Sequence, residues 1–298
     1  MSSVKVPIRA SFHKTNGIFA RFGVGDTEKA IAVSPKVFVS FCVSSAPVKI
    51  NGWKRKEVRA FVKGREDLKF RVRERNRSDK KPAWVELLGV EKEGRTRVID
   101  SCISGRSVEL DVPYGASVSI LGKSGQTSVE IDSIKKAKVD IYAGDISVSN
   151  ISYGLQAFTK EGGVSVRNSS GSMNMQTVSG NIVAFETDIN EIGDSFKAKT
   201  RSGSITMQSI GQKDVEASSI SGSINYVGTT KDYGNYSFTT TNGLITLALP
   251  SAASFKLKAA YGGSFISEFP LEDIEKEAGG STVYLTGMLG SNNGATVT

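Results

Sequence analysis

The sequence predicts an all-β protein: a single-stranded β-helix, or β-solenoid, of two-strand coils about nineteen residues long, preceded by a β-rich N-terminal segment. Three observations predict it. Small dipeptides ending in glycine recur along the second half of the chain. Apolar pairs keep one register with those glycines. Within each pair the spacing is two, which excludes helical repeats of similar length.

The glycine dipeptides are Ser124-Gly125, Ala143-Gly144, Ser179-Gly180, Ser202-Gly203, Ser221-Gly222 and Asn242-Gly243; with Gly162 and Gly262 the steps are 19, 18, 18, 23, 19, 21 and 19 residues. Seven and five residues before the glycines stand pairs such as Val118 and Ile120, Met173 and Met175, Val215 and Ala217, and Phe255 and Leu257. Two and four residues after them a second pair often follows, as in Val164 and Val166 or Ile205 and Met207. Alternation of this kind marks a strand with one buried face. Each repeat therefore reads as strand, glycine turn, strand and a connection of variable length. A lone strand pair cannot bury its apolar face, but stacked coils join those faces into one core. A plain antiparallel sandwich also has evenly spaced short strands, yet has no reason to keep one register through eight units.

Two irregularities stand out. The 23-residue step contains Glu186-Thr187-Asp188-Ile189-Asn190-Glu191, expected as an acidic surface loop. Leu271, Ile274 and Ala278 have helical spacing before Gly279-Gly280, which predicts a short helix over 271–278. A strand from Thr282 to Leu285 follows, and the last residues, 293–298, resemble the start of another coil cut short.

The organisation expected is a basic β-rich segment over 1–113 and solenoid repeats over 114–298. Residues 1–113 carry 24 basic and 13 acidic side chains, whereas 114–298 carry 14 and 17, so the net charge of +8 is concentrated at one end. Strands are expected at 37–43, 48–50, 58–62, 68–73, 84–88 and 108–112. From Lys54 to Lys81 there are thirteen basic and five acidic residues. In Lys69-Phe70-Arg71-Val72-Arg73 alternation directs Phe70 and Val72 inward and three cations outward. A solvated strand face explains such a run, and charge also discourages edge-to-edge aggregation. The functional alternative is a patch for an anionic polymer, with Lys54, Arg55, Lys56, Arg59, Lys69, Arg71 and Arg73 as candidate binding residues. No aromatic-interleaved oligonucleotide motif accompanies them, so specific nucleic-acid readout is not expected.

Catalytic, metal and cofactor chemistry finds little support. The single histidine, His13, would have to serve any Ser-His-Asp arrangement. Gly122-Lys123-Ser124 imitates the end of a phosphate loop, but Ser117 stands where that motif needs glycine. The glycine-rich calcium nonapeptide of other β-rolls is absent. Asp140, Asp145, Glu130 and Asp132 are the carboxylates that neighbouring coils could cluster for acid–base work on a polysaccharide. Cys42 and Cys102 lack metal-ligand spacing. Two buried thiols are the expectation from cysteine's burial habit, and a disulfide, which would imply an oxidising compartment, is the alternative.

No run of eighteen apolar residues occurs, so no transmembrane helix is expected. Val4, Val6 and Ile8 alternate with other residues like a strand, unlike a signal peptide. The chain is thus either intracellular or written without a leader that was removed.

With Val48-Lys49-Ile50-Asn51-Gly52-Trp53, then Glu57-Val58 and the Ser-Gly-x-Ile coils, the chain resembles the bacterial putative-adhesin domain family of unknown function. Val112-Pro113-Tyr114-Gly115-Ala116 and Leu249-Pro250-Ser251-Ala252-Ala253-Ser254-Phe255 extend the resemblance over roughly residues 35 to 298. Many members carry an acidic residue after the tryptophan, where this chain has Lys54. The resemblance implies a β-helix-like fold and an envelope or exported setting.

The function expected is a non-catalytic, adhesin-like solenoid of the bacterial cell envelope that binds or scaffolds a polymer or protein partner. The rivals are a lyase or hydrolase acting on an acidic polysaccharide and an intracellular scaffold that self-associates through an open solenoid end.

Overall fold

In the computed structural model, residues 26–64, 68–74, 81–93, 96–290 and 294–298 are described; the expected N-terminal strand and His13 lie outside them. The described residues form 27 strands and no helix. They make two sheets, one of eleven strands and one of sixteen, called sheets I and II below. Their facing side chains join in a single apolar core.

The coils stack in parallel. In sheet I, Val129 lies beside Ile146, and the column continues through Val164, Ile182, Ile205, Ile224 and Ile245, giving coils of 17, 18, 18, 23, 19 and 21 residues. In sheet II the matching column is Val118, Ala137, Leu155, Met173, Phe196, Val215 and Tyr236. The expected apolar pairs fill these inner columns because period-two alternation puts every second side chain on one face; the exception is Ile245, 38% exposed in the last strand of sheet I. Met173, Met175, Phe196, Ile205 and Met207 have no solvent exposure.

Both sheets run through residue 113 without a break. Phe38–Ser45 pairs with Ser117–Gly122 in sheet II, and Val48–Trp53 pairs with Val129–Asp132 in sheet I, so the basic segment supplies a coil of its own. Beyond it, sheet I continues with Ser107–Pro113, Glu57–Lys63 and Thr27–Ala32. Sheet II continues with Trp84–Glu93 and then the antiparallel Leu68–Arg73. Phe70 packs on the core as expected, but Val72 is 41% exposed because its strand lies at the sheet edge.

The two cysteines are not free thiols: Cys42 and Cys102 form a disulfide. Ile103–Ser104 pairs with the end of the Phe38–Ser45 strand, which brings the two Cα atoms within 4.5 Å. The bridge closes an excursion of 60 residues that contains the basic run.

The expected helix over 271–278 is also absent. Glu272–Gly279 is a strand, paired antiparallel with Thr282–Leu289 through a two-residue loop beginning at Gly280, where φ is 65°. Gly279-Gly280 therefore marks a hairpin and not a helix stop. Eight residues are too few to sustain a helix without burial, and every residue of this strand is exposed. Pairing with the open edge of Thr282–Leu289 satisfies its backbone instead.

The terminal residues do not begin a further coil. Ala295–Val297 turns back and inserts between Asn235–Asn242 and Phe255–Tyr261, parallel to both. Ala295 and Val297 are thereby buried in the core. Phe255 and Leu257, expected to stack directly on the preceding coil, lie one strand further out.

Candidate binding surfaces

The coil interior is devoted to stacking. At one corner the glycines form a column, and a Cβ on Gly203 would lie 2.0 Å from the carbonyl oxygen of Gly180. Its φ of 151° is equally closed to most side chains. Three residues before these glycines stand Thr159, Thr177, Thr200, Ser219 and Thr240. Each hydroxyl donates to the glycine carbonyl of the preceding coil, at 2.8 to 3.1 Å. These hydroxyls satisfy oxygens that the apolar core would otherwise leave unpaired. The pattern is visible in the sequence as a hydroxyl residue at a fixed offset from glycine, although the apolar columns draw attention away from it.

The opposite corner works differently. Ser133, Asn150, Asn168, Glu186 and Ser209 have φ between 48° and 58°, the left-handed region, in five successive turns. Four of these five are Ser or Asn, types whose side chains can bond locally to backbone, and Asn tolerates this region best. In the coil that follows the 23-residue one, Gln212 is fully buried and donates to the carbonyls of Gly171 and Asp188, at 2.9 Å each, while accepting from Thr187. The acidic excursion starts later than expected. Its strand runs to Asp188, and the loop beyond is tied by Asp194, which accepts from the backbone of Asn190 and Glu191 and from Ser172.

The four carboxylates considered for acid–base chemistry are not brought to one face. Glu130 and Asp132 belong to sheet I, Asp140 belongs to sheet II, and Asp145 lies at the glycine corner, accepting from the Gly163 amide at 2.7 Å. Glu130 pairs with Lys49 at 3.2 Å. Burial works to raise the Asp132 carboxyl, but hydrogen bonds from Ser149, Ser133 and Asn150, with Lys49 nearby, outweigh it and hold the group below the ordinary carboxylate range. Glu216, on sheet II, is held low chiefly by its hydrogen bond from Lys199. Among the described residues no group of three His, Cys, Asp or Glu side chains could hold a metal ion.

The seven candidate cations divide into two clusters, one on each sheet, both at the N-terminal end of the solenoid. Lys54, Arg55 and Lys56 form the exposed turn between Val48–Trp53 and Glu57–Lys63. The guanidinium carbons of Arg55 and Arg59 lie 5.1 and 5.3 Å from the centre of the Trp53 ring. Trp53 is fixed by donating its Nε1–H to the Glu57 carbonyl at 2.8 Å. Arg59 is also committed to ion pairs with Asp111 and Glu28, so Lys54, Arg55 and Lys56 are the members of this cluster whose charge projects most freely.

Lys69, Arg71 and Arg73 occupy the outer face of the edge strand of sheet II. Arg73 lies 4.7 Å from the Trp84 ring centre, and Arg71 pairs with Glu86 at 3.1 Å. Beside them is an open depression of about 300 Å³, lined among others by Cys42, Leu88, Leu121, Arg71 and Glu86. Both tryptophans of the chain thus carry arginine over a ring face, a contact favoured by the ring quadrupole. Sequence reasoning missed these contacts. Trp53 adjoins its cations in the chain, but Arg73 reaches Trp84 only through hairpin register.

Residues 99–227, which span the central coils, match the family model described as Toastrack DUF4097. No curated protein matches the chain. Three solved structures are similar. A putative cell adhesion protein from Clostridium sporogenes is 11% identical, with 76% of this chain and 100% of that chain covered, at a TM-score of 0.30. A putative adhesin from Parabacteroides distasonis is 11% identical over 76% and 98% of the chains, at 0.36. A putative adhesin from Parabacteroides merdae is 12% identical over 77% and 98%, at 0.30.

Proposed function

We propose that this protein is a non-catalytic, adhesin-like solenoid of the bacterial envelope that holds an anionic polymer at its basic end. The observation that carries this reading is the Trp53 cluster: Lys54, Arg55 and Lys56 stand exposed on a turn whose tryptophan is fixed from below. Such a site offers charge for phosphate or carboxylate groups, with the tryptophan ring holding Arg55 and Arg59 in place. Lys69, Arg71 and Arg73 offer a second contact region on the other sheet. The stacked coils between the ends supply length and rigidity. The Cys42–Cys102 disulfide supports an exported setting, since such bonds persist in oxidising compartments.

The test is incubation with a panel of polyanions, teichoic-acid-type polyol phosphates and acidic polysaccharides among them, with both binding and product formation followed. The expected result is saturable binding without new reducing ends or unsaturated products. Turnover of any of them would replace this reading with the carbohydrate-active enzyme. Fractionation of the source cells, with a gel-shift assay of the two cysteines, checks the setting; a reduced cytosolic protein would contradict it.

A further inference from the structure

The two ends of sheet II carry opposite charge on the same face. At one end, Leu68–Arg73 pairs with Trp84–Glu93 and, among the described residues, with no second strand, the Leu68 carbonyl accepting from the Lys29 ammonium. Leu68 is buried and Phe70 packs on the core, so Lys69, Arg71 and Arg73 face outward. At the other end, Glu272–Gly279 pairs only with Thr282–Leu289 among the described residues. Register fixes which of its side chains face outward. Leu257 packs on the core, so Lys258 and Ala260 point away from it. Lys258 opposes Thr286, which opposes Glu275, and Ala260 opposes Tyr284, which opposes Glu277. Glu272, across from Met288 and beyond the irregularity at Asp273, joins them. Three outward acids therefore stand on one edge and three outward bases on the other.

From this we infer that the protein assembles head to tail with copies of itself, the Glu272–Gly279 edge of one copy pairing with the Leu68–Arg73 edge of the next. An unpaired edge strand is a template for a further strand. Strand direction is compatible. Glu272–Gly279 runs with the solenoid strands, because two antiparallel steps separate it from Phe255–Tyr261. Leu68–Arg73 runs against them, being antiparallel to Trp84–Glu93. The joint is therefore an antiparallel ladder, in which acids and bases come directly opposite. The same charges oppose the symmetric alternatives, since acid would meet acid or base would meet base.

The steps at the ends also fit. Beyond the last full coil, sheet II extends four strands further than sheet I, and at the basic end sheet I extends one strand further than sheet II. A one-strand overhang enters a four-strand recess without blocking the sheet II joint. Leu244, 65% exposed, lies at the end of sheet I that borders this recess. Because the two patches differ, the contact is heterologous and leaves both outer ends free, which builds an open filament.

Sedimentation of the full chain over a range of concentration and salt tests this. The wild type is expected to form oligomers that grow with concentration and dissociate with added salt. Lys69→Glu/Arg73→Glu gives two acidic edges, and Glu275→Lys/Glu277→Lys gives two basic ones. Each alone should weaken assembly on the order of tenfold or more. Mixing the two variants, or combining all four substitutions in one chain, should restore it. Recovery cannot come from misfolded protein, so the mixing arm stays decisive if either variant loses stability. A wild type that remains monomeric throughout, or oligomers indifferent to either reversal, overturns the inference. Glu275→Lys/Glu277→Lys leaves the proposed polymer-binding cations intact, so loss of assembly with polyanion binding retained separates this inference from the polymer reading.

Discussion

The middle coils and the two ends of this solenoid use their residues for different purposes. In the middle, the core columns, the glycine corner and the hydroxyls before it are all set by the coil above and the coil below. The outer face of sheet I there is largely small and polar, as in the hydrogen-bonded Ser147 and Ser165. At the ends the repeat gives way to antiparallel strands, charged edges, a disulfide and both tryptophans. The difference teaches where to look for each property: substitutions in the middle should act on stability, and substitutions at the ends should act on what the protein meets.

The largest loss is expected from Gly203→Ala. The new Cβ would lie 2.0 Å from the Gly180 carbonyl oxygen, at a φ of 151°. Combined overpacking and backbone strain should cost about 3–5 kcal/mol in denaturant unfolding. A loss below about 1 kcal/mol would mean that the corner is looser than the stacking argument requires. Removing the disulfide through Cys42→Ser/Cys102→Ser should cost about 2–4 kcal/mol. Here the comparison predicts a location as well: amide exchange should quicken from Phe38–Ser45 to Ser107–Pro113 and change little in coils beyond Lys136. Uniform quickening would show that end and middle unfold as one unit.

Thr177→Val removes a hydroxyl that donates to the Gly162 carbonyl at 2.8 Å while keeping shape. The expected cost is about 1–2 kcal/mol, and Gln176→Ala, on the outer face, serves as a near-neutral reference. Asp132 gives a smaller, pH-dependent effect. Its folded carboxyl lies below the ordinary value of 3.8, despite the upward pull of burial, because three hydrogen bonds and Lys49 favour the charged form. The stabilisation is therefore fully present above 3.8 and fades as pH falls through the lower folded value. Asp132→Asn should be less stable at neutral pH and show a flatter acid limb; an unchanged limb would remove Asp132 from the account.

Much of the coil was legible because stacking imposes its demand on every repeat. The inner columns from Val118 to Tyr236 and from Val129 to Ile245 repeat apolar pairs in register with glycine, and backbone crowding fixes that glycine. The other corner was not legible. Ser133, Asn150, Asn168, Glu186 and Ser209 share a left-handed backbone that no single residue type announces. The Glu272–Gly279 strand resembles a helix in sequence because, exposed on both faces, it shows no alternation, and Ile274 and Ala278 fall at helical spacing from Leu271 just before it. The disulfide and the Arg73–Trp84 contact depend on strand partners distant in the chain, which a single sequence does not reveal. The basic residues themselves were identified, but their division between two sheets was not.

The proposed role of the basic end is tested most directly by the salt dependence of polyanion binding, for the wild type and for Lys54→Gln/Arg55→Gln/Lys56→Gln. These turn residues are exposed, so stability should change by less than about 0.5 kcal/mol. Three charge contacts predict a wild-type affinity that falls steeply between about 50 and about 200 mM salt, and their removal predicts a much shallower fall in the variant. Equal affinity and equal salt slope in the two proteins would contradict the account.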